Sequence, residues 1–513
     1  MSGWTIMAIA WIGVISWISF VIFANRKTHP KALFLLFFAE FWERFSYYGM
    51  RALLILYMTS SMGYSDDDAY GIYAAYGAMV YATPIVGGLL AEKLMGYRKA
   101  IFWGGLLMAL GHFAMAFEYE IVFYLALALL ILGNGFFKPN ISSFIATFYE
   151  KNDPRKDSAY TIFYMGINAG AMLTPLTCGY IGEKVGWHYG FGLAGVGMVL
   201  GLVVFVIAQW KGYFEDKGHP NDEKVLKAKT AGMSREILIY VLSFVALPIF
   251  IVLIKYNSSL DILLGILGVA MLGYLIVTGL KEDDREQGQR IYVIVVLLLF
   301  TALFWSFFEL AGSAITLYTA RNVDMNIAGT QMTASMFQAV NPLFILAFAP
   351  VFSFLWGFLN KRKIEPSSPI KFALGLFLLG GGFFMFKLGE GSANQGLVPV
   401  IWLILAYLGH TLGELCLSPV GLSLVTKLAP QRLVGLMMGI WFLSSSIAHQ
   451  AGKFIAGLTS SGEGGADTAK MTAEQTLPIY TEVFTQVGMV AIGAGVLLVL
   501  LSPILKKWMH GVN

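Results

Sequence analysis

The chain has 513 residues, 57% of them apolar or aromatic on a count that omits glycine and only 13% charged. Soluble domains carry about 25% charged residues, so this composition excludes a soluble enzyme and points to a polytopic membrane protein. A net charge of +4 is sorted among loops rather than pooled for nucleic acid. Cys178 and Cys416, both in apolar runs, support neither a disulfide framework nor a thiolate metal site.

The first predicted element, Trp4 to Phe23, is apolar throughout. It is too long for a signal-peptide core, no small-residue cleavage site follows it, and no polar stripe marks it as interfacial, so it reads as an extra transmembrane helix. Arg26, Lys27 and Lys31 follow. The next run, Lys31 to Thr59, is long enough to cross a bilayer. Further runs cover about 70–91, 100–118, 121–147, 158–182, 188–210, 235–256, 260–280, 291–320, 329–358, 369–388, 398–427, 433–459 and 480–505. That makes fourteen spans, or fifteen with the leading helix.

The loops test this count. If residues 26–31 face the cytoplasm, alternate loops hold 26 Lys/Arg, and the opposite loops hold five: Lys184, Lys255, Arg321, Lys387 and Lys470. The positive-inside rule demands such a split, which places the C-terminus in the cytoplasm and the N-terminus outside. Losing or adding one span would invert half of it.

Four bases remain, Arg44, Arg51, Lys138 and Lys453, and four acids lie well inside spans, Glu40, Glu43, Glu309 and Glu414. Lys453, near the outer end of its helix, reads as snorkelling. On the second run Glu40, Glu43, Arg44, Tyr47 and Arg51 recur at i, i+3, i+4, i+7 and i+11, within about 100° of one helix face, with Tyr48 at its edge. A charge at mid-bilayer costs about 2.5–3.5 kcal/mol even on lenient insertion scales. Four on one stripe cannot face lipid, so they line a wet cavity and neutralise one another.

Residues 211–290 read as a cytoplasmic linker and an inserted helix pair. Without them and without 1–30, six spans (31–210) precede six more (291–513). This 6+6 layout, with Gly88, Glu92, Lys93, Gly96, Arg98 and Lys99 in the loop after the second core span, resembles the major facilitator superfamily. One acid is replaced and one residue inserted relative to that family's loop pattern. At Glu40-x-x-Glu43-Arg44-Phe45-x-Tyr47-Tyr48 the chain resembles, more specifically, the proton-coupled oligopeptide transporters. Supporting matches are Tyr81-x-Thr83-Pro84-x-x-Gly87-Gly88, Gly133-x-Gly135-x-x-Lys138-Pro139-Asn140 and Phe163-Tyr164-x-x-x-Asn168-x-Gly170. In the second half they are Phe304-Trp305 with Glu309, Asn341-Pro342, Gly413-Glu414-x-x-Leu417-Ser418-Pro419 and Met438-Gly439-x-Trp441. The likeness covers nearly all of 31–508, and the inserted pair is typical of the family's bacterial members.

The resemblance implies an all-α polytopic membrane protein with a major facilitator fold, located in a bacterial cytoplasmic membrane. The function it implies is symport of protons with di- and tripeptides, with no cofactor beyond the coupling proton. It assigns proton coupling to Glu40, Glu43, Arg44 and Glu309, and gate pairs to Arg51 with Glu309 and Lys138 with Glu414. Substrate contacts fall on Arg44, Tyr47, Arg51, Tyr81, Lys138, Tyr164, Asn168, Trp305, Asn341, Glu414, Trp441 and Ser445. The chemistry agrees. A short peptide is a zwitterion with variable side chains, so affinity must come from its ends. Arg44 and Lys138 suit the carboxylate, Glu414 the amine, Asn168 and Asn341 the backbone, and the rings line tolerant side-chain pockets. The competing reading, transport of nitrate or another small anion, leaves Glu414 without a role.

Two departures stand out. Ala74 occupies the position where mammalian relatives carry a proton-handling histidine, and Leu310 stands where the family's usual glutamine would be. His410 reads as a packed helix–helix contact one turn before Glu414, and His112 and His449 as ordinary packing. Gly190-x-Gly192-x-x-Gly195 matches a dinucleotide pattern but lies in a span and is rejected. Gly166-x-x-x-Gly170, Gly197-x-x-x-Gly201 and Gly435-x-x-x-Gly439 read as close helix contacts within one chain. Lys255 and Asp261, at the turn of the inserted pair, read as solvated. A monomer is expected, embedded in lipid and without nucleic acid partners.

Overall fold

A computed structural model describes residues 2–150, 152–327, 329–462 and 467–512. Its helices in chain order are α1 (Gly3–Asn25), α2 (Lys31–Ser60), α3 (Asp66–Leu90), α4 (Tyr97–Ala114), α5 (Glu120–Ala146) and α6 (Lys156–Thr174). Next come α7 (Tyr180–Lys184), α8 (Trp187–Trp210), the short α9 (Glu223–Lys227), α10 (Arg235–Lys255), α11 (Asn257–Lys281) and α12 (Arg285–Phe308). The last six are α13 (Ala314–Asn322), α14 (Val340–Lys361), α15 (Ser368–Glu390), α16 (Val400–Leu428), α17 (Val434–Gly457) and α18 (Ala473–Trp508). The architecture is all-helical, as expected. Extended structure among the described residues is confined to two-residue ladders. Among the described residues twelve helices, some counted with their continuations, are long and apolar enough to cross a bilayer. α2 is not among them, because charges at 40, 43, 44 and 51 leave no bilayer-length stretch of it free of them.

Two apolar runs that read as single spans depart from regular α-helix. The run at 158–182 passes from α6 into α7 through one π-helical turn, Pro175–Gly179, with helical backbone at both ends. The run at 291–320 breaks after α12 into a tight 3-10 turn, Glu309–Gly312, before α13. Irregular backbone at membrane depth is tolerated where it is buried in protein or lines a cavity, and this break puts an acid at its first residue.

Close contacts sort the chain into two units. The first comprises Met1–Tyr57, Met79–Asn257 and Ala328–Pro342, the second Met58–Ala78, Ser258–Ile327 and Leu343–Asn513. In the first, α1 lies along α6 and the turn after it, with Trp11 Nε1 donating to Thr177 at 2.9 Å and Trp4 edge-on to Tyr180. α10 of the inserted pair packs on α4 and α5, adding Ile239 and Leu247 to a core that contains Leu107 and Leu132. Lys99 pairs with Glu236 at 2.6 Å, and Trp103 stacks on Tyr240 at 4.4 Å. The facilitator-like loop has a structural task here: the Arg98 guanidinium donates to the carbonyls of Phe214 (3.1 Å) and Lys217 (2.6 Å) and to that of Glu215.

In the second unit, α15 is wedged between α16 and α18. Phe383, Phe386, Tyr318 and Phe484 form a ring cluster there, with Phe386 and Phe484 centroids 4.7 Å apart. α11, the other inserted helix, lies in this unit, where Asp261 meets Lys453 of α17 at 2.6 Å. Asp261 is therefore not the solvated residue expected, and Lys453 is paired rather than snorkelling. Lys255 pairs loosely with Glu120 at 3.3 Å and is about half exposed. Gly435 and Gly439 are a second correction: no atom lies within 4 Å of where a Cβ would stand on either, so they make no close helix contact among the described residues.

Candidate functional site

The charged stripe of α2 forms a compact cluster. Glu40, Glu43 and Arg44 are all buried, at 2%, 0% and 2% exposure. Arg44 Nε lies 3.0 Å from Glu40 Oε1 and also contacts Glu43, so one guanidinium serves two carboxylates. The i, i+3, i+4 spacing causes this, since it stacks the three on one face. Asn134 of α5 reaches Glu43 Oε1 at 3.5 Å. Among the described residues, Arg44 Nε and Nη2, Glu40 Oε2 and Glu43 Oε2 have no hydrogen-bond partner, so the cluster is held by ion-pair contact. A buried guanidinium donor without an acceptor is costly and calls for a role. Arg44 also sits 5.3 Å from the Tyr47 ring, and Arg51, one face position further, 5.9 Å from that of Tyr48.

Two neighbouring helices shape this face. α6 comes so near α2 that a Cβ on Gly170 would stand 2.5 Å from the Phe41 carbonyl oxygen and 3.2 Å from Arg44 Cβ. Lys138 of α5 lies 4.6 Å above the Tyr81 ring of α3, a cation–π arrangement in the same unit as the cluster. Asn168 is buried, but its amide donates to the Tyr164 carbonyl of its own helix at 3.0 Å, leaving its side-chain oxygen as the group open to other contacts. Tyr164 is 45% exposed, the most open of the expected tyrosines. Asn341, at the start of α14, is half-buried and also belongs to the first unit.

The remaining expected residues lie in the second unit. Glu309, at the break after α12, is buried, and its Oε2 lies 3.6 Å from His449 Nε2 of α17. The expectation that His449 is ordinary packing is therefore overturned. These two residues line a small cleft with Tyr70, Tyr73, Ala74, Ser313 and Lys453. Glu414 is half-buried on α16. One turn earlier, His410 packs on Phe383 at 4.5 Å between ring centroids, with no hydrogen-bond partner for its Nε2 among the described residues. The expectation of a helix–helix donor is met only in the packing, which is by ring contact. Trp305 packs on Phe308 at 5.1 Å, and Trp441 is buried against Gly421. Ser445 is half-buried, and its carbonyl is 2.9 Å from His449 Nδ1.

Sequence reasoning counted Arg321 among the loop bases and did not pair it with Asp66, which the structure does. It also missed the link from Glu309 to His449. Only the shared rejection of lipid by two polar groups hinted at it.

A sequence profile described as the POT family matches residues 98–471. An uncharacterised transporter of Bacillus subtilis is 37% identical over 491 residues, covering 94% of this chain and 96% of its own length. A peptide transporter of Yersinia enterocolitica is 35% identical, with coverage of 84% and 88%. The crystal structure of a peptide transporter POT in complex with sulfate superposes with a TM-score of 0.81 at 37% identity, covering 94% of this chain and 96% of that one. The all-helical arrangement is thus that of solved transporters.

Proposed function

Since the chain belongs to the POT family, we propose that it is a multi-pass symporter that imports di- and tripeptides with protons, by alternating access, across a bacterial cytoplasmic membrane. The observation that carries this reading is the Glu40–Glu43–Arg44 cluster, with one guanidinium in ion-pair contact with two buried carboxylates and its Nη2 left without an acceptor among the described residues. Two carboxylates and one guanidinium sum to one negative charge. Protonating either carboxylate releases Arg44 to take a peptide carboxylate, so one negative charge is exchanged for another, and buried charge prefers such neutrality.

In this reading Arg44 and Lys138 hold the peptide's carboxylate, and Arg is suited to do so bidentately. Glu414 takes the amine, with Asn168, Asn341 and Ser445 around the backbone. Tyr47, Tyr81, Tyr164, Trp305 and Trp441 receive side chains. Arg51 with Glu309, and Lys138 with Glu414, are proposed as pairs made in one state and broken in the other, the bistable elements that alternating access needs. The protein acts as a monomer with a cytoplasmic C-terminus.

The test uses purified full-length protein in proteoliposomes with an inward proton gradient, given labelled dialanine and then nitrate. Accumulation of dialanine that vanishes when the gradient is collapsed is the expected result. Uptake that persists without the gradient removes proton coupling. Failure to accumulate any small peptide, with nitrate taken up, replaces the reading by anion transport.

A further inference from the structure

Glu309 and His449 come from chain segments 140 residues apart and face each other inside the second unit, carboxylate Oε2 to imidazole Nε2, 3.6 Å apart and both buried. The other ring nitrogen, Nδ1, lies 2.9 Å from the Ser445 carbonyl oxygen. A carbonyl oxygen only accepts, so Nδ1 carries a hydrogen and donates it. That fixes the tautomer of the neutral ring and leaves a lone pair on Nε2, 3.6 Å from Glu309 Oε2. An ionised carboxylate facing that lone pair would be repelled. One proton between them removes the conflict, either as carboxylic acid donating to Nε2 or as imidazolium donating to carboxylate.

The fold makes room for this ring. Gly77 of α3 lies so close that a Cβ there would stand 2.7 Å from Nε2 and 3.0 Å from Cγ. Ala74, one turn earlier, lines the same cleft. The second unit presents four other titratable groups nearby. Tyr70 and Tyr73 of α3 bring two phenols to the cleft. Lys453 of α17 is engaged with Asp261 of α11 at 2.6 Å. Among the described residues that line this cleft, Glu309 and His449 are the carboxylate and the imidazole that meet.

We propose that Glu309 and His449 together form a proton-binding site in which His449 positions and shares the proton assigned to Glu309. The inference rests on the proton-coupled reading above and extends it to a residue on a different helix. A proton arriving from water bonds to Glu309 Oε2 or His449 Nε2, passes between them without net change, and leaves to water, while Nδ1–H stays on Ser445 throughout. His449 thereby takes, from α17, a place beside α3 that Ala74 cannot fill with a titratable group of its own.

Two experiments on the full-length protein test this. In the first, initial rates of gradient-driven dialanine uptake are followed from pH 5 to 8 for wild type, H449Q, E309Q, the double variant and G77A. The H449Q profile is expected to move its midpoint by at least about half a pH unit, since shared titrations belong to the pair. The double variant is expected to be no worse than E309Q alone, as for residues acting as one unit. G77A, which removes no titratable group but displaces the ring, should move the midpoint in the same direction as H449Q. An unmoved H449Q profile, or losses that simply multiply in the double variant, overturns the proposal. In the second, the nitrogen shifts of 15N-histidine-labelled protein in nanodiscs are titrated, with His449 identified by the signal absent from H449Q. A neutral ring protonated on Nδ1, whose titration moves in E309Q, supports the pair. A ring protonated on Nε2, or a titration indifferent to E309Q, overturns it, even if gradient-driven uptake is absent and the coupled reading fails on its own account.

Discussion

Asp66 accepts from both terminal nitrogens of Arg321, at 2.5 and 2.8 Å, with its carboxylate fully shielded from water. Thr468 donates to the same carboxylate at 2.9 Å, and Arg321 also donates to the Tyr480 hydroxyl at 3.0 Å. The start of α3, the end of α13, the turn at 467–470 and α18 are thereby joined at one point of the second unit. Removing one member of a buried, bidentate pair strands the other, at a typical cost of about 3–5 kcal/mol. Arg321 keeps about a fifth of its side chain exposed, so the lower end applies. D66N is therefore expected to lower the melting temperature of the detergent-purified protein by several degrees, and D66N/R321M by less than D66N. An unchanged melting temperature in D66N would show that the pair contributes nothing.

The α2 cluster gives a sharper functional expectation. In E43Q the guanidinium of Arg44 keeps Glu40 at 3.0 Å but loses the second carboxylate whose protonation would release it. E43Q should lose gradient-driven accumulation of dialanine while retaining counterflow exchange, which needs peptide binding but no net proton movement. R44K should lose both, because a lysine ammonium cannot hold two carboxylates from one planar fork. A fall of at least about tenfold in R44K uptake is expected from one lost charge-assisted bond. Accumulation surviving in E43Q would move the proton site elsewhere, with Glu40 or the Glu309–His449 pair next to be tried.

Much of this was legible in the sequence, and the reasons differ by element. The α2 stripe declares itself because helical periodicity converts spacing directly into a face, and lipid forbids charge on that face. The basic residues of the loops set an expectation of fourteen or fifteen spans, whereas twelve helices among the described residues are long and apolar enough to cross. The break at Glu309 was illegible because the apolar run continues across it, and hydropathy does not register backbone geometry. Lone polar groups were illegible for another reason. His449 and Asp261 each look unremarkable on an apolar helix until the fold supplies Glu309 and Lys453 from distant sequence. Arg98 lies between these cases. Its loop pattern was visible, yet the carbonyls it holds at 214–217 could not be read from spacing alone.

A pH dependence of stability follows from the loops on the basic side. His29, between α1 and α2, is buried, and its Nδ1 lies 2.9 Å from the Tyr149 hydroxyl. Arg155 donates to the Thr28 carbonyl at 2.9 Å. Burial first, and the Arg155 charge second, hold the His29 imidazole below its ordinary value of 6.5. Between its folded and unfolded values the unfolded chain binds more protons, so acid favours unfolding. The contribution is complete above pH 6.5 and is lost as pH falls from there. Wild type should lose melting temperature between pH 7 and 5.5 more steeply than H29N, and parallel curves would remove His29 from the cause.

The inserted helix α11 is fastened to α17 by the Asp261–Lys453 pair, with both side chains less than a fifth exposed. Asp261 Oδ1 has no hydrogen-bond partner among the described residues, so the carboxylate is only half satisfied. A buried ion pair with an unmet lone pair gains little over two apolar groups of similar size, yet losing one member leaves an uncompensated charge. D261L and K453M should each destabilise the purified protein, by about 2–3 kcal/mol in this partly exposed setting. The double variant D261L/K453M should recover most of that loss, giving a coupling energy of at least about 1 kcal/mol. Because Lys453 also borders the cleft of Glu309 and His449, D261L should in addition alter the pH profile of uptake, whereas the double variant, with neither charge, should return it towards wild type. Additive destabilisation in the double variant would mean that α11 is held by its apolar face alone and that the ion pair is incidental.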